Sequence, residues 1–168
     1  MFCTIHLLSG RFLPLDRLMI LVSTKIRYVF LFVLIVMCFK KQIYKKISFE
    51  AGVSVIIALI THVLIKLFFF KPRPFAKRRV GILIPSKTDS SFPSKHTLLV
   101  FAIATTIIFY KRFLGSIMFV LSFLTGLSRI WVGHHYPSDI VGSAFLGSLI
   151  SMIVHKLSRC QKWLLKGN

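Results

Sequence analysis

Five long apolar runs, separated by short polar stretches, dominate the pattern of hydrophobic and polar positions in the chain. The runs cover about residues 18–39, 47–70, 94–110, 113–132 and 138–157. Runs of this length are typical of helices that cross a lipid bilayer. We therefore predict an all-α fold, a polytopic bundle of five transmembrane helices that forms one membrane-embedded domain over residues 1–168.

The stretch before the first run mixes apolar and basic residues and contains Gly10 and Pro14. This composition favours a short N-terminal segment that lies at the membrane interface, and a sixth span is the alternative for this part of the chain. The apolar cores of the third and fifth runs are shorter than the roughly 18–20 residues of an ordinary span. In the fifth run Ser143, Gly147 and Ser151 recur at every fourth position, which predicts close packing against another helix.

Composition narrows the class of protein further. Of the 168 residues 55% are hydrophobic, whereas a soluble domain is usually nearer about 45–50% apolar. The 23 Lys and Arg against 4 Asp and Glu give a formal net charge of +19. Such an excess can indicate nucleic-acid binding, but the 17 Phe and the apolar runs argue against it, so we predict no nucleic-acid partner. We expect the cations to contact membrane lipids and to bind a phosphate headgroup.

The distribution of Lys and Arg predicts the orientation of the bundle. Residues 40–46 contain four Lys, the 111–112 turn contains two cations, and the tail after residue 155 contains four. With five spans these three stretches lie on one side, which the positive-inside rule assigns to the cytoplasm. The long loop at about 71–95 and the turn at about 129–138 then face outward, although that loop is itself rich in cations.

Polar residues at the ends of the apolar runs form three blocks in a fixed order. The blocks are Lys66-x6-Arg73-Pro74, Pro93-Ser94-Lys95-His96 and Ser128-Arg129-x5-His135-x3-Asp139. Because successive spans alternate in direction, all three blocks come out at the same membrane face. A lone lysine here would be interpreted as a snorkelling anchor, but the agreement of the blocks favours a functional pocket at one boundary of the bundle.

The residue types in these blocks suit phosphoryl transfer through a histidine. Arg73 and Arg129 can each donate two parallel hydrogen bonds to phosphate oxygens, and Lys66 adds a point charge. Ser94 is placed to cap a helix whose free backbone N–H groups attract an anion, and a plain cap without a ligand is the alternative. Lys95 is unfavourable at a helix start unless a phosphate lies nearby.

Two adjacent histidines, His134 and His135, follow the fourth run. Their side chains must point in different directions, so we expect only one of them to be chemical. Asp139 lies four residues beyond His135, and a direct contact between them would fix the tautomer of the imidazole and stabilise its charged form. We assign His134 to packing or hydrogen bonding.

Together the blocks resemble the type 2 phosphatidic acid phosphatase superfamily, which includes bacterial lipid phosphatases and vanadium haloperoxidases. The resemblance covers about residues 60–145. The segments Lys71–Phe75, Ser91–Ser94 and Leu124–Pro137 are similar to the bacitracin-resistance type of undecaprenyl-diphosphate phosphatase. A soluble haloperoxidase is disfavoured by the hydropathy.

This resemblance implies a role for each matching residue. His135 would be the nucleophile that forms a phosphohistidine, Asp139 would orient it, and His96 would protonate the leaving oxygen and then help to activate water. The residues that would bind the phosphoryl oxygens are Lys66, Arg73, Ser94, Lys95 and Arg129. Lys95 stands where the family usually has Gly or Asp, which leaves it the backbone role only.

The resemblance also implies that no metal or other cofactor is needed, and the few carboxylates of the chain suggest no Mg²⁺ cluster. It implies an integral enzyme of the bacterial plasma membrane, with its site facing outward, that hydrolyses a polyprenyl diphosphate. The expected reaction converts undecaprenyl diphosphate to undecaprenyl phosphate and recycles the lipid carrier for cell-wall precursors, an activity associated with bacitracin resistance. The alternatives are a phosphatase of phosphatidylglycerophosphate or phosphatidic acid, and a non-catalytic lipid-phosphate binder or transporter.

Overall fold

The computed structural model describes residues 12–74 and 90–164, with side chains up to residue 160, and it is helical as predicted. The helices of these ranges are α1 (Leu13–Cys38), α2 (Gln42–Phe68), α3 (Lys95–Tyr110), α4 (Arg112–Trp131) and α5 (Pro137–Leu164). The predicted interfacial segment falls mostly on residues 1–11, and most of the predicted long loop on residues 75–89, both outside the described residues.

Three helices are longer than the apolar runs that predicted them, and α2 begins at Gln42 rather than at about residue 47. Helix α1 already begins at Leu13, with Pro14 in its first turn, where the missing N–H of proline has no helical partner to lose. Helix α5 continues past residue 157 to Leu164. The predicted boundaries are wrong here because polar and basic residues continue the three helices beyond their apolar cores.

Helix α3 is the centre of the bundle and is packed by α2, α4 and α5. Its 16 residues span about 24 Å, which is less than the hydrocarbon thickness of a bilayer. The other four helices are long and apolar enough to cross a membrane. Nearly every residue from Thr97 to Ile107 is buried within the protein, so α3 need not match the lipid along its whole length.

Small residues bring α5 close to α3, as their spacing predicts. A Cβ on Gly147 would lie 2.3 Å from the carbonyl oxygen of Leu98. One turn away on either side, Ser151 Oγ donates to the Ala102 carbonyl at 2.6 Å, and Ser143 Oγ accepts from the backbone N–H of the α3 N-cap residue at 2.7 Å. The three positions therefore contact three successive turns of α3 and fix the register of the two helices.

The distribution of side chains is that of a membrane protein. The exposed surfaces carry large apolar residues, among them Phe32, Leu67, Phe113 and Leu157. The interior contains hydroxyl groups that bond to helix carbonyls, among them Ser54, Ser122 and Thr125. Lipid rather than water is the solvent that suits this outer surface. The chain is a multi-pass membrane protein.

A buried carboxylate joins three helices at the end of the bundle where α1 meets α2 and α3 meets α4. Glu50 accepts hydrogen bonds from Tyr110 Oη at 2.7 Å, from His155 Nδ1 at 3.3 Å and from Ser158 Oγ, and Lys46 Nζ lies 3.3 Å away. A cavity of about 910 Å³ opens beside this cluster. Its polar groups bond to one another, and the blocks predicted to be functional lie at the opposite end, so we interpret the Glu50 cluster as structural.

Candidate active site

The three sequence blocks meet at the end of the bundle where α2 ends and where α3 and α5 begin. Helix α2 ends at Phe68, and residues 71–73, which include Arg73, have no regular secondary structure. Lys71 and Asp139 are bonded to each other, as are the Ser91 carbonyl and the ring of His135. These contacts join residues that are distant in sequence. They bring residues 71–74, the segment just before α3 and the α4–α5 turn into one site.

A tight turn at the end of α4 positions the two adjacent histidines. Gly133 has a φ of 83°, a left-handed conformation that glycine adopts without a Cβ clash. The N–H of His134 donates to the Arg129 carbonyl at 3.1 Å, and the N–H of Gly133 donates to the Ile130 carbonyl at 3.0 Å. This pair of bonds is a Schellman cap, which reverses the chain so that the next residue, His135, lies close to Arg129.

The ring of His135 is 3% exposed and is oriented by the backbone. Its Nδ1 lies 2.6 Å from the Ser91 carbonyl oxygen, which can only accept, so Nδ1 carries the proton and Nε2 has the free lone pair. Burial and, after it, the guanidinium groups of Arg129 and Arg73 hold the pKa of this imidazole well below its usual range. The ring is therefore neutral at pH 7, which is the form that can act as a nucleophile.

The direct contact between Asp139 and His135 that the spacing predicts is replaced by an indirect one. The partner of His135 Nδ1 is the Ser91 carbonyl, and the Ser91 hydroxyl in turn donates to the fully buried Asp139 carboxylate. Asp139 also accepts from the Tyr136 backbone N–H at 3.1 Å and from Lys71 Nζ. The turn at 136–138 directs the Asp139 carboxylate toward Ser91. The carboxylate thus fixes the segment around Ser91, whose carbonyl holds the imidazole of His135.

Arg129 is buried in the last turn of α4 and acts electrostatically on both histidines of the predicted site. Among the described charged groups, it has the largest electrostatic effect on both His96 and His135. Its Nη1 donates to Ser23 Oγ at 2.8 Å, and its buried Nε has no hydrogen-bond partner among the described residues. Arg73, also buried, acts electrostatically on Arg129 and on His135. Two buried guanidinium groups beside a neutral imidazole form a site for an anion with several oxygens.

His96 is half-buried in the first turn of α3 and faces α1. Its Nε2 lies 3.0 Å from Nη1 of Arg27, which is exposed on α1. Both residues line a cleft of about 400 Å³ between α1, α2 and α3. The rest of the wall is almost entirely apolar and includes Phe30, Leu34, Val55, Leu99 and Ile103.

The remaining predicted residues take the following places. Ser94 is the N-cap residue of α3 and is fully buried; its Oγ accepts from Thr97 Oγ1 at 3.1 Å. The N–H groups of the first α3 turn have no carbonyl within the helix to bond. Lys95 is exposed and lines the same cleft as His96, and Lys66 is half-buried in the last turn of α2.

The structure adds residues to the site that the sequence did not single out. Lys71 and Ser91 hold Asp139, and Ser23 and Arg27 come from α1, the helix that carries none of the blocks. The only sequence signal for Arg27 is a cation within an apolar run, which is costly in a membrane and therefore marks a candidate. A serine such as Ser23 gives no such signal.

The helical fold is that of a family of membrane phosphatases. Residues 48–163 match the PAP2 superfamily, and the chain belongs to this family. The membership predicted from the three blocks is thereby confirmed.

Relatives agree with this assignment. The chain is 36% identical to undecaprenyl-diphosphatase BcrC of Bacillus subtilis over 158 residues. These residues cover 94% of this chain and 82% of that protein. Among solved structures, LpxE of Aquifex aeolicus superposes with a TM-score of 0.77 at 28% identity, over 91% of this chain and 93% of LpxE. A PAP2-type phosphatidylglycerolphosphate phosphatase of Bacillus subtilis shares the fold, with a TM-score of 0.70 at 20% identity over 93% of this chain and 83% of its own.

Proposed function

We propose that this chain is a membrane-embedded phosphatase that hydrolyses undecaprenyl diphosphate to undecaprenyl phosphate and inorganic phosphate. The similarity to undecaprenyl-diphosphatase BcrC extends over nearly the whole chain, which supports this substrate. The arrangement of the site supports it independently, because two cations, Arg27 and Lys95, line a cleft whose other walls are mostly apolar. A headgroup can bind the cations while its hydrocarbon chain stays among apolar side chains.

The reaction begins with attack by His135 on the terminal phosphorus. The Nδ1–H is held by the Ser91 carbonyl, so the lone pair of Nε2 forms the new N–P bond. The bond from that phosphorus to the bridging oxygen breaks, and the oxygen leaves with the lipid phosphate and takes a proton from His96. The products of this half are a phosphohistidine and undecaprenyl phosphate.

Water completes the reaction in the second half. His96, now deprotonated, takes a proton from water while the water oxygen attacks the phosphorus. The P–N bond breaks, its electron pair returns to His135 Nε2, and inorganic phosphate leaves. Arg129, Arg73, Lys66 and the backbone N–H groups that follow Ser94 stabilise the charge on the transferring oxygens in both halves.

The observation that carries this proposal is the environment of His135. A buried, neutral imidazole with its Nδ1–H fixed and two guanidinium groups nearby is suited to accept a phosphoryl group and poorly suited to remain charged. Arg129 acts electrostatically on His96 as well, which supports one anion site for the acid and the nucleophile.

For the cellular setting we infer a bacterial plasma membrane with the site facing outward. The four lysines of residues 40–46 and the cations at 111–112 lie at the end of the bundle opposite the site. The positive-inside rule then assigns that end to the cytoplasm and the site to the outer leaflet. The enzyme would there return the lipid carrier to its monophosphate form.

Phosphate release from a panel of lipid phosphates tests the proposal and its rivals together. Purified protein in detergent is given undecaprenyl diphosphate, phosphatidylglycerophosphate and phosphatidic acid, and we expect the highest kcat/KM for the diphosphate. His135→Gln should abolish release and the acid-labile phosphohistidine trapped by rapid quenching, whereas His134→Gln serves as the neighbouring control. Full turnover by His135→Gln would refute the mechanism, and a preference for another lipid would refute the substrate. A wild-type protein that binds the lipids without releasing phosphate would be a binder or transporter.

A further inference from the structure

Arg27 is an unusual cation for its position. It lies in the middle of the 26-residue α1 helix and is followed by a strongly apolar stretch. A charged side chain within a membrane helix costs free energy unless a partner or a function retains it. Its Nη2 donates to Tyr28 Oη at 3.2 Å, and its Nη1 reaches across to His96 on α3. The Arg27 side chain thus points toward the predicted active site rather than toward the membrane surface.

The bond between Arg27 and His96 has a consequence for catalysis. A guanidinium has only donors, so His96 Nε2 accepts this hydrogen bond and carries no proton. Before His96 can donate a proton from that nitrogen to a leaving group, Arg27 must move its donors to other acceptors and Nε2 must take up a proton from water. An anionic group next to the leaving oxygen would supply those acceptors at a distance of about one hydrogen bond from His96.

The order of groups along the site matches the order of groups in a prenyl diphosphate. In the proposed reaction His135 and Arg129 act on the terminal phosphoryl group, and His96 acts on the bridging oxygen. Arg27 comes next, in contact with His96 Nε2. One and two turns further along α1 the cleft wall becomes apolar at Phe30 and Leu34, and the same change occurs along α3 after His96.

We propose that Arg27 binds the phosphate that stays with the lipid, and that it gives the enzyme its preference for prenyl diphosphates over prenyl monophosphates. This inference rests on the proposed function and extends it to the second phosphate. A prenyl monophosphate places its single phosphate at Arg129 and has no oxygens for Arg27. A prenyl diphosphate binds Arg129 with its terminal phosphate and Arg27 with its second phosphate. The second phosphate draws Arg27 away from His96 at the same time.

The test compares two substrates with the same hydrocarbon, farnesyl diphosphate and farnesyl monophosphate. The variants are Arg27→Gln, which removes the charge, and Arg27→Lys, which keeps the charge but loses the planar fork. Lys25→Gln is the matched control, because Lys25 is also an exposed cation on α1, two residues away. Phosphate release gives kcat/KM for each protein on each substrate.

We expect Arg27→Gln to lower kcat/KM for the diphosphate by about 10- to 100-fold, the value of a lost charge-assisted hydrogen bond, and to leave the monophosphate within about 3-fold. Arg27→Lys should fall between the wild type and Arg27→Gln, and Lys25→Gln should match the wild type. Inhibition by farnesyl methylenediphosphonate and by farnesyl phosphonate provides a second measurement that needs no turnover. In Arg27→Gln only the diphosphonate should bind more weakly.

Three results would overturn the inference. Equal losses on both substrates would mean that Arg27 serves His96 or the terminal phosphoryl group. Unchanged kinetics and inhibition in Arg27→Gln would mean that it binds no substrate. A loss of the same size in Lys25→Gln would mean that the effect comes from the overall charge of α1 and not from Arg27 in particular. A wild-type protein that released no phosphate from any prenyl diphosphate would refute the proposed function itself.

Discussion

Replacing Lys71 by methionine removes the cation that bonds to Asp139 and keeps most of the apolar stem. The Asp139 carboxylate is 0% exposed, and its remaining donors would be the Ser91 hydroxyl and the Tyr136 N–H. Breaking a fully buried ion pair costs about 3–5 kcal/mol, whereas an exposed pair contributes about 0–1 kcal/mol. The Lys71 side chain is 39% exposed, so we expect an intermediate loss of about 2 kcal/mol in the free energy of unfolding.

A double-mutant cycle separates the ion pair from other effects. Asp139→Asn keeps the shape of the side chain and removes the charge that Lys71 neutralises. Because the penalty of Lys71→Met is a buried, uncompensated carboxylate, the double variant should be more stable than the sum of the single losses predicts, by about 1–2 kcal/mol. Denaturation in mixed micelles followed by circular dichroism measures this, with Lys45→Met, an exposed lysine on α2, as the control.

The same variants test how Asp139 acts on catalysis. The carboxylate holds Ser91, and the Ser91 carbonyl holds His135, so Asp139→Asn should lower kcat by about 10- to 100-fold. A carboxylate bonded directly to a catalytic histidine is worth about 10⁴-fold when its charge is removed in a serine protease. A loss of that size here would refute the indirect arrangement, and strictly additive stabilities in the cycle would refute the contribution of the ion pair.

Three further outcomes follow from the structure. Because burial and the neighbouring arginines lower the pKa of His135, the rate of phosphohistidine formation should persist as the pH falls below 6.5, and an acid limb at or above that value would contradict the neutral ring. Gly147→Ala should destabilise the protein by about 1–3 kcal/mol because the new Cβ meets the Leu98 carbonyl, whereas Gly52→Ala, with nothing within 4 Å, should be neutral or stabilising by up to about 1 kcal/mol in thermal unfolding. Glu50→Ala should lower the unfolding midpoint without changing KM, because it leaves half-buried donors unpaired at the end opposite the site.

Local sequence patterns predicted much of the fold. A helix across a membrane satisfies its own backbone hydrogen bonds, so an apolar run is sufficient to indicate it. The spacing of Ser143, Gly147 and Ser151 indicated a close helix contact for the same reason, since positions four apart share one helix face. The starts of α1 and α2 and the end of α5 were missed because polar and basic residues there are helical.

The membership of the family and the candidate residues were also determined by the sequence alone, because each block is a short local segment whose residue types suit phosphate chemistry. Tertiary structure decided how those segments meet. The Ser91 carbonyl rather than Asp139 orients His135, and α1 brings Ser23 to Arg129 across a separation of 106 residues. The packing angle of a helix sets such contacts, and it depends on the shapes of all its neighbours at once. No periodicity or spacing within one segment contains that information.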